Sequence, residues 1–175
     1  MRSPISLMLL SAVALSAACG GASQSSAPDA GAAVFVAVQG DFAGYRQWTA
    51  FDGGQSANDG IVIEPAQRTI YMNKLPPHDS TDYPVGTIIV KDTENANTFA
   101  MAKRGGDFNS AGAVDWEFFE LVTDSSNNTS INWRGTAPPV GETYGNTTST
   151  SCNGCHTGFK TADYVGGGAI SLSQF

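Results

Sequence analysis

The sequence is poor in basic residues and in histidine. Its 175 residues contain 9 Lys and Arg against 16 Asp and Glu, and only 2 His, so the formal net charge is -7 and the pI is about 4.5. Such a chain is repelled by nucleic acid and by anionic membrane surfaces, and we expect neither as an electrostatic partner. The acidity is compatible with a basic redox partner protein, although the usual consequence of such a balance is solubility.

The apolar run near the N-terminus is too short to cross a bilayer. Residues 5–14 are apolar apart from serines, well short of the roughly 20 residues that a transmembrane helix needs. Arg2 precedes this run, and the small residues 16–18 follow it. This pattern predicts a secretory signal peptide at residues 1–18 and export of the mature protein.

Cysteine is scarce, and the first of the 3 cysteines stands at the predicted cleavage site. Cys19 in that position is typical of a bacterial lipoprotein, although Ser16 replaces the usual leucine and an ordinary cleaved signal is the alternative. An unmodified Cys19 would be a free thiol in an oxidising compartment, which favours lipidation. We predict a lipid-anchored protein on the periplasmic side of the cell envelope. A flexible linker rich in Gly, Ala and Ser would follow Cys19, so that residues 19–39 tether a domain at 40–175.

The other two cysteines belong to the sequence Cys152-Asn153-Gly154-Cys155-His156. Two thiols three positions apart can each add to one vinyl group of protohaem, and the histidine that follows can then bind the iron. This spacing is the c-type haem attachment signal. Such haem is attached outside the bacterial cytoplasm, in agreement with the predicted export. We predict one covalent haem c per chain, held by Cys152 and Cys155, with His156 as the metal ligand.

Three other roles of the cysteine pair are less favoured. A redox dithiol would normally follow a strand early in a βαβ unit, and no such unit precedes this motif. A structural disulfide is the second alternative. A closed zinc site needs four ligands, whereas only Cys152, Cys155 and His156 cluster in the sequence and the other histidine is His78.

The folded domain is predicted to be α+β and mainly β. Residues 42–50 carry aromatic side chains at a spacing near three, which predicts a short N-terminal helix. Short β-branched or alternating segments separated by Asn, Asp and Gly predict an antiparallel meander of about five strands. These segments are 61–63, 69–72, 87–91, 98–103 and 116–122, with an edge strand at 130–133 as an addition. Residues 51–60 and 75–84 are predicted to be loops, and a brief C-terminal helix is expected to carry the haem motif.

Several stretches, taken in order, resemble the cytochrome P-460 family, which includes the cytochromes c′-beta. The resemblance covers residues 45–165. The matching stretches are Tyr45-Arg46-Gln47-Trp48, Arg68-Thr69-Ile70-Tyr71, Tyr83-Pro84-Val85-Gly86-Thr87 with Val90-Lys91-Asp92, Trp116-Glu117-Phe118, and the haem motif with Asp163-x-Val165. The resemblance implies a largely β monohaem domain, often a homodimer, with His156 as the proximal ligand and an opposite haem face open to small ligands.

One feature of that family is not found in this chain. Members that oxidise hydroxylamine carry a lysine cross-linked to the haem, just before the stretch that matches residues 83–87. Residues 77–82 contain no lysine here, and Lys74 lies upstream of two prolines. A c′-beta-like member without the cross-link is therefore favoured over a hydroxylamine oxidase.

Individual residues have competing roles. Arg68 is a candidate for a haem propionate, because a guanidinium suits carboxylates, or is a surface arginine. His78 is a sixth ligand, a distal hydrogen-bond donor or a solvated loop residue. Met72 and Met101 are either iron ligands or core residues. Four strand aromatics are core residues that could also wall the pocket: Tyr71, Phe99, Phe118 and Phe119.

These observations leave three hypotheses for function. The first is an exported haem protein that binds nitric oxide or processes a small nitrogen compound such as hydroxylamine, and so could be an oxidoreductase. The second is an electron-transfer cytochrome with a sixth protein ligand from His78, Met72 or Met101. The third is a lipoprotein whose motif has lost its haem. The resemblance favours the first, and the intact motif argues against the third.

Overall fold

The computed structural model describes residues 33–55, 66–94, 97–141 and 152–175. These residues form a six-stranded antiparallel sheet in which each strand pairs with the next strand along the chain. The strands are β1 (Thr49–Gln55), β2 (Gln67–Met72), β3 (Ile88–Thr93), β4 (Thr98–Lys103), β5 (Trp116–Thr123) and β6 (Thr129–Gly135). The predicted signal peptide, Cys19 and the predicted strand at 61–63 lie outside the described residues.

The predicted mainly β meander is confirmed, with six strands in the described residues instead of about five. Strand β4 has the predicted bounds, and the edge strand expected at 130–133 is the longer β6. Successive side chains along β4 and β5 point to opposite faces of the sheet, as in any β-strand.

The predicted short N-terminal helix is present as two 3-10 helices, but its range differs from the predicted 42–50. Two 3-10 turns, Gln39–Phe42 and Tyr45–Gln47, precede β1, which already begins at Thr49. Gly44 between them has a left-handed φ of 66°, which interrupts a continuous helix. Pairing of Thr49 with Met72 then draws the following residues into the sheet, so tertiary contacts override the helical spacing of the aromatics.

Residues 51–55 of the loop predicted at 51–60 are part of β1, and residues 56–60 lie outside the described residues. Its Asp-Gly-Gly sequence marks an irregularity in the strand, because the β1–β2 register shifts between Asp52 and Gln55. The backbone N–H of Gly54 donates to Asp52 Oδ1 at 2.8 Å, and Gly54 has a φ of 67° that favours glycine. Turn chemistry in this sequence therefore indicates a β-bulge rather than the end of a strand.

The two faces of the sheet are covered by opposite ends of the described chain. We call them the C-terminal face and the N-terminal face. The C-terminal face packs beneath Tyr164, Val165 and Ile170, and its buried sheet residues are Ile70, Met72, Ile89, Met101, Trp116, Phe118 and Trp133. The N-terminal face packs beneath Ala37, Phe42 and Tyr45, and its buried sheet residues are Ile88, Val90, Ala100, Ala102, Phe119 and Leu121.

The folded domain begins before residue 40, where the sequence analysis ended the linker. Ala37 is fully buried in the core of the N-terminal face, and Phe35 packs against the same cluster. The backbone N–H of Phe35 also donates to the Arg104 carbonyl at 2.8 Å. Apolar packing thus reaches back to about residue 35.

A short helix carries the cysteine motif, as predicted. This helix, α1 (Cys152–His156), continues into a kinked 3-10 segment, Thr157–Ala162, and a last 3-10 turn spans Leu172–Gln174. The predicted irregular loop at 75–84 contains no strand. Within the described ranges, no helix has the length and apolar character required to span a membrane.

The packing of the N-terminal face gives a stability prediction. Phe119 is fully buried, and its ring centroid lies 5.0 Å from that of Phe42. Phe119→Ala should lower the free energy of unfolding by about 3–5 kcal/mol, because the cavity adds to the lost transfer energy. Val122→Ala is the control: Val122 is 51% exposed, and its truncation should cost at most about 0.5 kcal/mol. Equal losses in urea unfolding would contradict this packing.

Candidate haem-binding site

A cavity of about 410 Å³ lies between the C-terminal face and the segment that follows residue 152. Cys152, Cys155 and His156 all line it. Apolar residues from both sides supply most of the remaining wall: Ile70, Ile89, Phe99, Met101, Phe118, Phe159, Val165, Ala169 and Ile170. Its size is within the range of roughly 300–1,000 Å³ typical of cofactor pockets.

An amide pair docks the motif onto the loop between β4 and β5. Asn153 and Asn109 exchange two hydrogen bonds through their side-chain amides, at 2.8 and 2.7 Å. Asn153 Oδ1 also accepts from the Ala113 backbone N–H at 3.1 Å. Gly112 leaves the space for this amide, since a Cβ there would overlap it. Asn153, one of the two residues between the cysteines, therefore fixes where α1 lies on the sheet.

His156 is held by one short hydrogen bond. Its Nδ1 lies 2.7 Å from the backbone carbonyl oxygen of Tyr164. A carbonyl oxygen can only accept, so Nδ1 must carry the proton and Nε2 keeps its lone pair. An imidazole oriented in this way is the form that binds a metal through Nε2.

The surroundings favour the neutral imidazole. Burial lowers the pKa of His156 below its usual value, the hydrogen bond to Tyr164 acts in the opposite direction, and the charge of Lys91 lowers the pKa further. The Phe118 ring packs 4.9 Å from the imidazole, between ring centroids. The lowered pKa and the apolar packing both suit a histidine that donates its lone pair, because a protonated ring cannot bind a metal.

A left-handed turn places the Tyr164 carbonyl. Asp163 and Tyr164 both have positive φ, 50° and 63°. Residues with side chains adopt this conformation at an energetic cost and keep it only where their surroundings enforce it. Here the backbone N–H of Tyr164 donates to the Phe159 carbonyl at 2.9 Å, and that of Val165 donates to the Ala162 carbonyl at 3.1 Å.

The two thiols lie in different environments. Cys152 is partly buried, whereas Cys155 is exposed, and both are free thiols. Burial raises the pKa of Cys152 to about 11, partly offset by the positive charge of Lys91. The Cys152 thiol is therefore protonated at neutral pH before any covalent attachment.

Two basic side chains interrupt the apolar wall. Arg68 on β2, which the sequence analysis proposed as a carboxylate-binding residue, lines the cavity, and so does Lys91 on β3. Gly53 packs closely against the backbone of Arg68, since a Cβ on Gly53 would lie 2.9 Å from the Arg68 carbonyl oxygen. Lys91 Nζ lies 5.7 Å from the centre of the Phe99 ring. The cavity of an acidic chain thus has positive charge that suits carboxylate groups.

Sequence reasoning did not single out Lys91, although a signal existed. Lys91 follows Ile89 by two positions, so both turn to the same face of β3. Lys74, the lysine considered from the sequence, is not among the cavity-lining residues, and its Nζ donates to the Val85 carbonyl at 2.6 Å.

Of the three residues considered as a sixth ligand, the structure brings only Met101 to the cavity. Met72 is fully buried in the core beneath the C-terminal face and does not line the cavity. The side chain of His78 is 85% exposed, and its Nδ1 lies 2.7 Å from Asp79 Oδ2. Of the three roles considered for His78, its exposure fits a solvated loop residue.

The donor set is compatible with a covalently attached haem. Two thiols and a neutral imidazole meet at one apolar cavity whose polar members are cationic. Within residues 33–55, 66–94, 97–141 and 152–175, no three His, Cys, Asp or Glu side chains converge to hold a metal ion directly. The arrangement therefore suits a large apolar cofactor better than a closed zinc site.

Comparison of the chain with protein-family models, with curated proteins and with solved structures found no match. The resemblance to the cytochrome P-460 family remains a prediction from the five sequence stretches.

The difference between the two thiols can be measured in the haem-free full-length chain. Iodoacetamide should alkylate Cys155 at least about tenfold faster than Cys152, because Cys152 is less exposed and its pKa of about 11 lowers its thiolate fraction. Peptide mass spectrometry after timed quenching gives both rates. The rates should converge in denaturant, and equal rates in the folded chain would contradict the placement of Cys152.

Proposed function

We propose that this protein is an exported c-type monohaem protein that binds or redox-processes a small nitrogen ligand, nitric oxide or hydroxylamine. The observation that carries the proposal is the meeting of Cys152, Cys155 and His156 at one apolar cavity, with His156 Nδ1 committed to the Tyr164 carbonyl. Haem held there supplies an iron that can bind a small ligand or exchange an electron.

Different residues of the chain would have different roles at such a site. Cys152 and Cys155 would form the thioethers, and His156 Nε2 would ligate the iron from the side of α1. Apolar side chains of the sheet, such as Ile70, Ile89 and Phe118, would exclude water from the cavity. Arg68 and Lys91 would bind the carboxylates of the cofactor, because both cations line the same cavity.

Ligand binding is favoured over hydroxylamine oxidation within this proposal. The sequence before residue 83 lacks the lysine expected of an oxidase of the resembling family, and Lys74 bonds to a backbone carbonyl outside the cavity lining. The lysine that lines the cavity, Lys91, lies in β3 after the stretch at 83–87.

A second function, electron transfer, is supported by the position of Met101. Methionine ligates iron in many electron-transfer cytochromes, and Met101 lines the cavity from β4. A protein ligand in the sixth position would block exogenous ligands. Met101 is also 94% buried among apolar residues, where methionine serves as core packing.

The absorption spectrum of the full chain, produced with haem-attachment machinery, tests the two functions. Ligand binding predicts a high-spin ferric spectrum that changes when nitric oxide is added, because no side chain would occupy the sixth position. A low-spin spectrum indifferent to nitric oxide would contradict it and favour electron transfer. A reduced Soret band shifted far to the red would indicate a lysine cross-link and return hydroxylamine oxidation to first place, with Lys91 the lysine to replace.

A matched pair of methionine variants makes the same test sharper. Met101→Leu should leave the spectrum and the nitric oxide response unchanged if the sixth position is open, and should convert low spin to high spin if Met101 is a ligand. Met72→Leu is the control, because Met72 is equally apolar and buried but does not line the cavity. Only the Met101 variant can distinguish the two functions, and both swaps should cost less than about 1.5 kcal/mol of stability.

A further inference from the structure

A buried ion pair lies next to the turn that follows His156. Lys103 Nζ is 2.6 Å from Asp163 Oδ1, and the two side chains are only 7% and 3% exposed. The other carboxylate oxygen of Asp163 accepts from the Tyr83 backbone N–H at 2.9 Å. Removing two charges from water is costly, and here both carboxylate oxygens of Asp163 accept hydrogen bonds that offset part of that cost. Neither charge lines the cavity, so cofactor binding alone does not explain the pair.

We propose that Lys103 and Asp163 are positioning residues, which hold the Tyr164 carbonyl against His156 Nδ1. The inference rests on the proposed function and extends it to the tuning of the iron ligand. Asp163 and Tyr164 are consecutive residues in the left-handed region. The side chain of Asp163 is held by Lys103, while the carbonyl of Tyr164 accepts a hydrogen bond from His156.

The Lys103–Asp163 ion pair, which we call the clamp, starts from a residue with two backbone hydrogen bonds. Lys103 ends β4, where its backbone N–H donates to the Thr87 carbonyl and its carbonyl accepts from the Gly86 N–H, both at 2.8 Å. Its Nζ also lies 5.3 Å from the centre of the Trp116 ring. Asp115 is the other acidic group near this amine, but its Oδ2 is 4.0 Å away and its side chain is more exposed. The anchor for the turn is therefore the contact between Lys103 and Asp163.

The chemical effect would be on the donor strength of His156. A strong hydrogen bond from Nδ1–H to a carbonyl oxygen increases the electron density at Nε2 and orients the ring. A ligand of that kind stabilises ferric over ferrous iron. Loosening the clamp would lengthen this hydrogen bond, weaken the bond between His156 and the iron, and raise the reduction potential.

Lys103→Met in the haem-loaded full chain tests the inference. We expect a lower iron–histidine stretching frequency in the resonance Raman spectrum of the ferrous protein. We also expect the redox equilibrium to shift toward the ferrous form by about tenfold, which is about 59 mV for a one-electron couple. The direct charge effect cannot produce this rise: removal of Lys103 leaves Asp163 either negative, which lowers the potential, or protonated, which leaves the net charge of the pair unchanged.

Glu117→Gln is the matched control. Glu117 is also a buried carboxylate in ion pairs, 2.6 Å from Arg134 Nη2 and 3.3 Å from Arg104 Nη1. Its ion pairs are with these two arginines and not with the turn at Asp163, so the variant should lose stability but keep the wild-type stretching frequency. A folded Lys103→Met protein with the wild-type frequency and potential would overturn the inference.

A second variant covers the case in which Lys103→Met does not fold. Asp163→Asn keeps a residue that tolerates the left-handed region and an oxygen for the Tyr83 N–H, while it removes the charged contact with Lys103. It should also lower the stretching frequency, and an unchanged frequency would overturn the inference. If the wild-type chain carries no haem, the function proposed above fails, whereas the clamp is still tested by nitrogen-15 shifts of His156. The wild type should then show the proton on Nδ1 and Asp163→Asn a mixture of tautomers, and identical tautomers would overturn it.

Discussion

The sheet has apolar side chains on both of its faces, and each face is covered by a different end of the described chain. The N-terminal segment closes one face with Ala37, Phe42 and Tyr45. The C-terminal segment covers the other face incompletely and leaves a cavity of about 410 Å³ beside the cysteine motif. Because successive side chains of a strand point to opposite faces, the buried side chains of β2 to β5 are divided between the core beneath the N-terminal segment and the side that holds this cavity. The position of the site follows from this division.

The C-terminal segment is then fixed by a few polar contacts in a mainly apolar setting. Asn153 pairs with Asn109, His156 bonds to the Tyr164 carbonyl, and Asp163 pairs with Lys103. Each contact joins a residue within or just after the cysteine motif to a defined partner, so the imidazole has one orientation. The chain has net negative charge, yet the basic side chains of Arg68 and Lys91 line the cavity. This local reversal of charge supports a cofactor or ligand that carries anionic groups.

Local sequence patterns predicted much of the sheet because strands β2 to β6 have short, β-rich segments bounded by turn residues. Strand β1 was missed because the Asp-Gly-Gly sequence at 52–54 resembles a turn, whereas pairing with β2 makes it a bulge. The aromatics near Tyr45 have helical spacing, but Tyr45 and Phe51 pack on opposite faces of the sheet. Propensity could not reveal this, since the faces are defined only when the strands pair.

The motif residues of the site were predictable from spacing alone, and their partners were not. Asn109 and Asn153 are 44 positions apart, and Lys103 and Asp163 are 60 apart, so nothing local connects them. The exposure of His78 depends on the path of the loop at 75–84, which its prolines make irregular without fixing its direction. Lys91 was not predicted as a site residue, although its position two residues after Ile89 places both side chains on the same face of β3.

Mass spectrometry of the peptide that carries Cys152 and Cys155 tests the central claim most directly. The full chain would be produced in a bacterial host with haem-attachment machinery, alkylated and digested. We expect one haem joined to this peptide, with neither thiol open to alkylation, and we expect Cys152→Ala plus Cys155→Ala to abolish the adduct. Two alkylated thiols and no adduct, from a host that loads another c-type protein in parallel, would contradict it.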